Sequence, residues 1–348
     1  MAMFLSSKLK DTSIFFDFKG LSYEDLESLC SLSFGSHGFA PWMFWTSEIY
    51  SLGRHIRDYA YLPSFVPLNC YTDHGPGYYS DSVHPHELNN NAAVQFYHSP
   101  HTVNMFKRSS SKPCYCMLSP LVWYRKKNNV MQVSSPCGTL AFAAHSTPSV
   151  EIATSYEDYI HDLKQLDKRF HPICVCLHMH DIHKGYHKIF FDNGFPVYTA
   201  GNTLDVRFAE RFYNILKNFR YSTSSIIGSY TYYSVEMGIP FFLHGREPTL
   251  INKCDSNIAS GEYIYATHKY RYVSKLFNKH IEHVTHEQKE FVHLHLGLYD
   301  GLSRKKMFIV LVSALFNIFF VKFAAMLVVN KCKKMLKKMI HAEKKNSV

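Results

Sequence analysis

The sequence predicts an α/β chain of two Rossmann-like domains facing a cleft, followed by a C-terminal membrane-associated helix. Three observations carry that reading. From residue 172 onward strand and helix signals alternate, the pattern of a parallel, doubly wound sheet. The first half holds further short apolar runs, each ending in a polar or glycine-bearing turn. Residues 307–329 carry one charge, Lys322, and are long enough to cross about 30 Å of hydrocarbon.

A length of 348 residues suits two domains and an appendage. The boundaries fall at 1–150, 151–300 and 301–348. In the first domain, strands are expected at 66–72, 93–98, 112–118 and 138–144, followed by the turns DHGPG, SPH, SPLVWYR and HSTPS. An exposed helix, EDYIHDLKQLDKRF, links the halves. In the second domain, the strand ICVCLH leads through a short helix closed by Gly194 to the strand PVYTA. Leu204, Phe208, Phe212, Ile215, Leu216 and Phe219 then recur at helical spacing. The strand RYSTSS precedes a helix over 229–237, which Gly238 ends before Pro240 opens the strand PFFLH.

The formal charge of +10 collects at the C-terminus. Between Arg304 and Lys345 there are eleven Lys/Arg residues and one acid, Glu343, so the rest of the chain is near neutral and nucleic acid is not an expected partner. Basic residues flank 307–329 on both sides, which fits either a crossing helix or one lying in the inner leaflet with KCKKMLKKMI on anionic headgroups. The nine cysteines are scattered, and no signal-like apolar run opens the chain, so a reducing, cytoplasmic setting is expected. The pairs Cys114/Cys116 and Cys174/Cys176 place both thiols on one face of a strand. They lack the C-x-x-C spacing of zinc sites, and no H-E-x-x-H is present, so no metal is expected.

Ligands of such sheets bind at the C-terminal ends of strands. The strongest candidate is SSIIGSYTYYSVEMG, where the first turn of a helix, with its unpaired N–H groups and positive dipole end, joins Ser224, Ser225, Gly228 and Ser229 to form a phosphate pocket. Glu236 on that helix is a candidate for a ribose. In HMHDIHKG, His178, His180 and Lys184 are candidates for phosphate or sugar contacts, and Gly201 ends another strand. Asp73 and His74 in YTDHGPG are candidates to deprotonate a hydroxyl nucleophile. His145 and Ser146 point apart on an extended chain, so they are read as a polar cleft wall and not a dyad. Arg54, Arg57 and Arg125 are candidates to clamp an anion.

The segments GSHGFAPW, YTDHGPG, SPLVWYRKKN, GTLAFAAHST, HPICVCLHMHDIHKG, VYTAGNTLDVRF and SSIIGSYTYYSVEMGIPFFLHG together resemble a family of bacterial surface-polysaccharide proteins. These are glycosyltransferases of the two-domain GT-B type, found with capsule and lipopolysaccharide genes. The second half is similar, more loosely, to GT-B enzymes that use CMP-activated sialic acid or Kdo. In those enzymes a His-Pro motif after one strand and a paired-hydroxyl motif before a later helix bind CMP. Ser224–Ser225 matches the second motif, whereas His171–Pro172 precedes its strand.

The resemblance implies an N-terminal acceptor-side domain with an acidic base, a role Asp73 matches, and a C-terminal nucleotide-sugar domain. It implies metal-independent transfer, with no cofactor, to a lipid-linked or surface glycan at the cytoplasmic face of the bacterial inner membrane. The donor class stays open between CMP-, UDP- and GDP-sugars. The competing expectations are a non-catalytic, membrane-tethered nucleotide-binding scaffold and a nucleotide-sugar epimerase.

Overall fold

The computed structural model describes residues 17–31, 45–73, 75–76, 83–254, 261–263 and 268–316, with 329 and 335 besides. Helices α1 (Tyr23–Ser31) and α2 (Leu52–Tyr59) precede a first sheet of strands β1 (Cys70–Thr72), β2 (Val94–Tyr97) and β3 (Cys114–Cys116). These run parallel in the order β1-β2-β3. Between and after them lie α3 (Pro85–Leu88), α4 (Pro100–Ser109) and α5 (Pro120–Lys127). The SPH and SPLVWYR segments, read as turns, are helix starts. Pro100 and Pro120 occupy the first turn, where a missing N–H costs nothing, and Ser99 accepts from the Thr102 N–H.

A second sheet has five parallel strands: β4 (Thr139–Phe142), β6 (Ile173–Cys176), β7 (Val197–Tyr198), β8 (Tyr221–Ser224) and β9 (Phe241–Leu243). Strand β5 (Val150–Ile152) pairs elsewhere. The spatial order is β7-β6-β4-β8-β9. In chain order this reads third, second, first, fourth, fifth, the doubly wound arrangement with its switch point between β4 and β8. Strand β4, grouped with the first half by sequence, is thus the central strand of the second sheet, paired over four residues with both β6 and β8. The division between sheets falls between Cys116 and Thr139. Local pattern marks a strand but not its partners, which are set by contacts distant in sequence.

Helices α6 (Tyr156–Lys164), α7 (Met179–His183), α8 (His187–Asp192), α9 (Phe208–Leu216) and α10 (Ser229–Glu236) cover the second sheet. Helix α6 is not an exposed linker. It buries Tyr156, Tyr159, Ile160 and Leu163, one helical stripe, against the face formed by Ala141, Val175 and Phe242. The opposite face, with Leu140, Phe142, Cys174 and Cys176, belongs to a core that continues into Leu52, Ile56, Phe96 and Leu121 of the first half. Both second-sheet cysteines of the C-x-C pair therefore share one side, and burial pushes each thiol up to about 12. The short helix expected before Gly194 is two, α7 and α8, broken at Gly185, whose φ of 80° few side chains tolerate. A small antiparallel sheet of β5, β10 (Leu250–Asn252) and β11 (Gly261–Tyr263) was not foreseen.

After α11 (His268–Phe277) and α12 (His286–His295) the chain returns to the first sheet as α13 (Arg304–Leu315). Met307, Leu311 and Ala314 are buried, and Asn69 donates to the Ala314 carbonyl at 2.9 Å. The start of the apolar segment read as a membrane element is thus packed against the protein, because its 307/311/314 stripe matches the apolar surface of the first sheet. Among the described residues no helix is long and apolar enough to cross a membrane. Residues 317–328 and the Lys-rich run from 331 lie outside the described residues, apart from 335.

The return depends on Gly297. Its φ is 69°, and a Cβ there would sit 2.0 Å from the Met117 carbonyl oxygen, which is backbone and cannot rotate away. Gly297→Ala is expected to lower stability by about 2–3 kcal/mol. Chemical denaturation would check this, and an unchanged midpoint would mean that the contact is dispensable.

Candidate functional site

A cavity of about 330 Å³ opens at the C-terminal ends of β4, β6, β7 and β8. That volume falls in the range of small-molecule sites. It sits where the strand order reverses, as expected for an open parallel sheet. Its floor is aromatic: Phe142 stacks on Tyr230 with centroids 4.4 Å apart, and Phe208, Phe212 and Tyr233 complete it. From the first half come Tyr50, Pro76 and Leu121. Among the described residues no Lys, Arg, Asp or Glu lines it.

Each strand end contributes. After β8, Gly228 caps α10 and lines the cavity with Ser229 and Tyr230, so the first N–H groups of an eight-residue helix border the space. A Cβ on Gly75 would fall 2.2 Å from Ser229 Oγ, so the loop after β1 lies on this helix start. After β7, Gly201 turns with φ 85°. Its turn is held from behind by Arg211, which donates to the Ala200 carbonyl at 2.8 Å and pairs with Asp205 at 2.8 Å, both side chains fully buried.

After β6, His178 caps α7: its Nδ1 accepts from the His180 N–H at 3.3 Å. In the neutral ring this leaves the proton on Nε2, which faces the Tyr50 hydroxyl at 3.5 Å. After β4, His145 stacks on His178 with centroids 4.3 Å apart and an interplanar angle of 20°. Its Nδ1 is 3.1 Å from the Ser146 carbonyl and so carries the proton. His180 tilts against His178 at 4.9 Å. Burial, with His145, His183 and Lys184 nearby, holds His180 below the usual histidine range.

Of the residues singled out from sequence, His145, His178, Gly201, Gly228 and Ser229 share this cavity. His180 adjoins it. Ser224 is fully buried and its hydroxyl meets Tyr230 at 2.8 Å, behind the wall. Ser225 faces a separate small pocket with Asp162 and Arg246. Glu236 does not face a ribose, because Arg125 holds it through two contacts of 2.6 Å, and that pairing removes Arg125 as an anion clamp too. Arg54 donates to the Val206 carbonyl, and Arg57 pairs with Glu48. Ser146 is buried against Asp181, and Lys184 reaches the Thr147 carbonyl. The Asp73 carboxylate accepts from the Gly75 N–H at 3.3 Å, within its own loop. His74 lies outside the described residues.

Tyr50 escaped the sequence reading, and Asp181 figured in it only as one member of HMHDIHKG, without a role of its own. Tyr50 and Ser51 adopt φ of 56° and 61°, a left-handed pair of non-glycine residues beside the cavity, where such strain tends to gather. Burial pushes the Tyr50 hydroxyl up to about 12. No local pattern announces either feature. Among the described residues no group of three His, Cys, Asp or Glu is placed to hold a metal ion.

The chain matches no protein-family model and no curated protein. Among solved structures it is similar to the UDP-GlcNAc 2-epimerase from Neisseria meningitidis bound to UDP-GlcNAc, with a TM-score of 0.37 and 9% identity over 80% of this chain and 84% of that one.

Proposed function

We propose that the chain is a nucleotide-sugar enzyme that transfers the sugar to a lipid-linked or surface glycan. The observation that carries this reading is the convergence of four parallel strand ends, the N-terminus of α10 and the loop after β1 on one cavity of small-molecule size. A phosphate at Gly228 and Ser229 would be held by helix N–H groups and the dipole, with no lysine or arginine needed. Those same groups would stabilise the phosphate as it leaves, without a metal. The aromatic floor suits the flat face of a base or the apolar face of a sugar.

The proposal extends to location. The basic, apolar sequence that follows α13 would bring the cleft to an acceptor held in the cytoplasmic face of the bacterial inner membrane.

One observation favours the epimerase reading. Among the described residues, Pro76 and Leu121 face the cavity from the first half beside Tyr50 and offer no side-chain hydrogen bond to an acceptor hydroxyl. A reaction confined to the donor itself needs none.

Titration calorimetry against CMP-, UDP- and GDP-sugars, followed by product analysis with and without a lipid-linked acceptor, separates these readings. Saturable binding is expected, with turnover only when acceptor is present. An isomerised sugar nucleotide formed without acceptor would establish the epimerase, and no saturable binding to any donor would end both readings.

A further inference from the structure

We propose that His145 is the proton acceptor of the cavity and that Asp181 is the residue that positions it. The inference rests on the transfer reading. Asp181 is fully buried in the first turn of α7, and a single oxygen, Oδ1, gathers three donors: the Ser146 N–H at 3.1 Å, the Ser146 hydroxyl at 2.9 Å and the Tyr156 hydroxyl at 2.9 Å. The Tyr156 hydroxyl has one proton, which it shares between Asp181 and the Ala144 carbonyl 3.1 Å away. The residue after His145 is thus held to the carboxylate by two bonds, and the residue before it lies against the same Tyr156 hydroxyl.

That carboxylate belongs to the helix that His178 caps, so the anchor also fixes the two stacked rings relative to each other. Its other oxygen, Oδ2, is buried and has no hydrogen-bond partner among the described residues. Burial pushes this carboxyl above its usual range, while His145 and the donors on Oδ1 pull the other way; a buried acid kept at that cost is explained if it serves the site.

The consequence is a complementary pair of imidazole edges. His145 carries its proton on Nδ1, so Nε2, on the opposite edge of the ring, is a base. His178 carries its proton on Nε2 and is a donor. In transfer, the acceptor oxygen forms its bond to the anomeric carbon and its proton passes to His145 Nε2. The bond from that carbon to the phosphate oxygen breaks, and the electron pair leaves on the phosphate. The helix N–H groups at Gly228 and Ser229 hold that phosphate as it leaves. His145 then releases its proton to water.

Imidazole nitrogen NMR of the full chain, donor calorimetry and turnover together test this. Wild-type His145 should be the Nδ1–H tautomer and His178 the Nε2–H tautomer. His145→Ala should lower kcat by about 10²–10⁴-fold while the donor Kd stays within about threefold, the split expected for a group used in the chemical step. Asp181→Ala should leave His145 exchanging between tautomers, and Asp181→Asn, which keeps an accepting oxygen, should restore the single tautomer and most of kcat. Should Asp181→Ala fail to fold, Ser146→Ala removes one of the three donors and should shift the His145 signal in the same direction.

An Nε2–H tautomer at wild-type His145, an unchanged kcat in His145→Ala, or an unaltered His145 signal in both the Asp181 and Ser146 variants would overturn the proposal. If no nucleotide sugar binds the wild-type protein, the transfer reading falls, while the tautomer measurement still decides whether Asp181 fixes His145.

Discussion

Arg211→Met is expected to destabilise the protein by about 3–5 kcal/mol, seen as a large fall in the urea midpoint. Arg211 and Asp205 are both fully buried and 2.8 Å apart. Removing the cation strands a carboxylate in a medium that solvates it poorly, and the cost comes chiefly from that stranded charge rather than from the lost attraction. The Ala200 carbonyl also loses its donor. The double variant Arg211→Met with Asp205→Leu should recover part of the loss but not all of it, because Asp205 also accepts from the Arg207 N–H at 2.8 Å. If the single and double variants are equally unstable, the stranded-charge account is wrong. Since Arg211 backs the Gly201 turn, partial unfolding here should also weaken any ligand held in the cavity.

Acid should destabilise the fold well before its carboxylates titrate. Burial pushes His55 down to about 3, helped by the neighbouring Arg54 charge, and pushes His295 down to about 4. His55 packs against Tyr124 and His295 against Phe291, so neither ring charges without disrupting an apolar contact. In the unfolded chain both titrate near 6.5. Between the folded and unfolded values the unfolded state binds more protons, so stability is full above pH 6.5 and falls as pH drops toward 3–4.

From pH 7 to pH 5 each histidine should cost about 2 kcal/mol, and the two together about 4 kcal/mol. His180, His187, His280 and His293 are shifted in the same direction. The informative quantity is therefore a difference: the double variant His55→Gln with His295→Gln should lose about 4 kcal/mol of the wild-type change between pH 7 and 5. Denaturation midpoints at the two pH values measure it, and parallel slopes in wild type and variant would refute it. Asp58 and Asp162, held below the usual carboxylate range, add their losses only at lower pH.

The second sheet was largely legible because its strands are short, mostly apolar apart from the hydroxyl-rich β8, and punctuated by glycine, as parallel strands between helices tend to be. What sequence could not supply were partners. Strand β4 looks like its first-half neighbours, yet it pairs with strands that begin at Ile173 and Tyr221. Glu236 looks like a free surface carboxylate until Arg125, 111 residues away, is seen to hold it. Arg211 reads as the polar side of an amphipathic helix, and only the tertiary structure reveals that it is buried.

The site divides along the same line. Glycine and histidine at strand ends were readable because their positions follow from the sheet. The choice of Ser229 over Ser224 was not, because it depends on which hydroxyls the strand turns inward. Tyr50 reaches the cavity through a backbone conformation that its own sequence does not favour.

The docking of α13 bears on how the chain is made. The hydrogen bond from Asn69 to Ala314 closes a separation of 245 residues, so the first sheet emerges from the ribosome long before the helix that covers part of it exists. During that interval apolar surface on the first sheet stays uncovered while the second sheet is still being synthesised. Closure over such a separation slows folding in general, and it leaves the leading half exposed to sticking to other chains until the helix arrives.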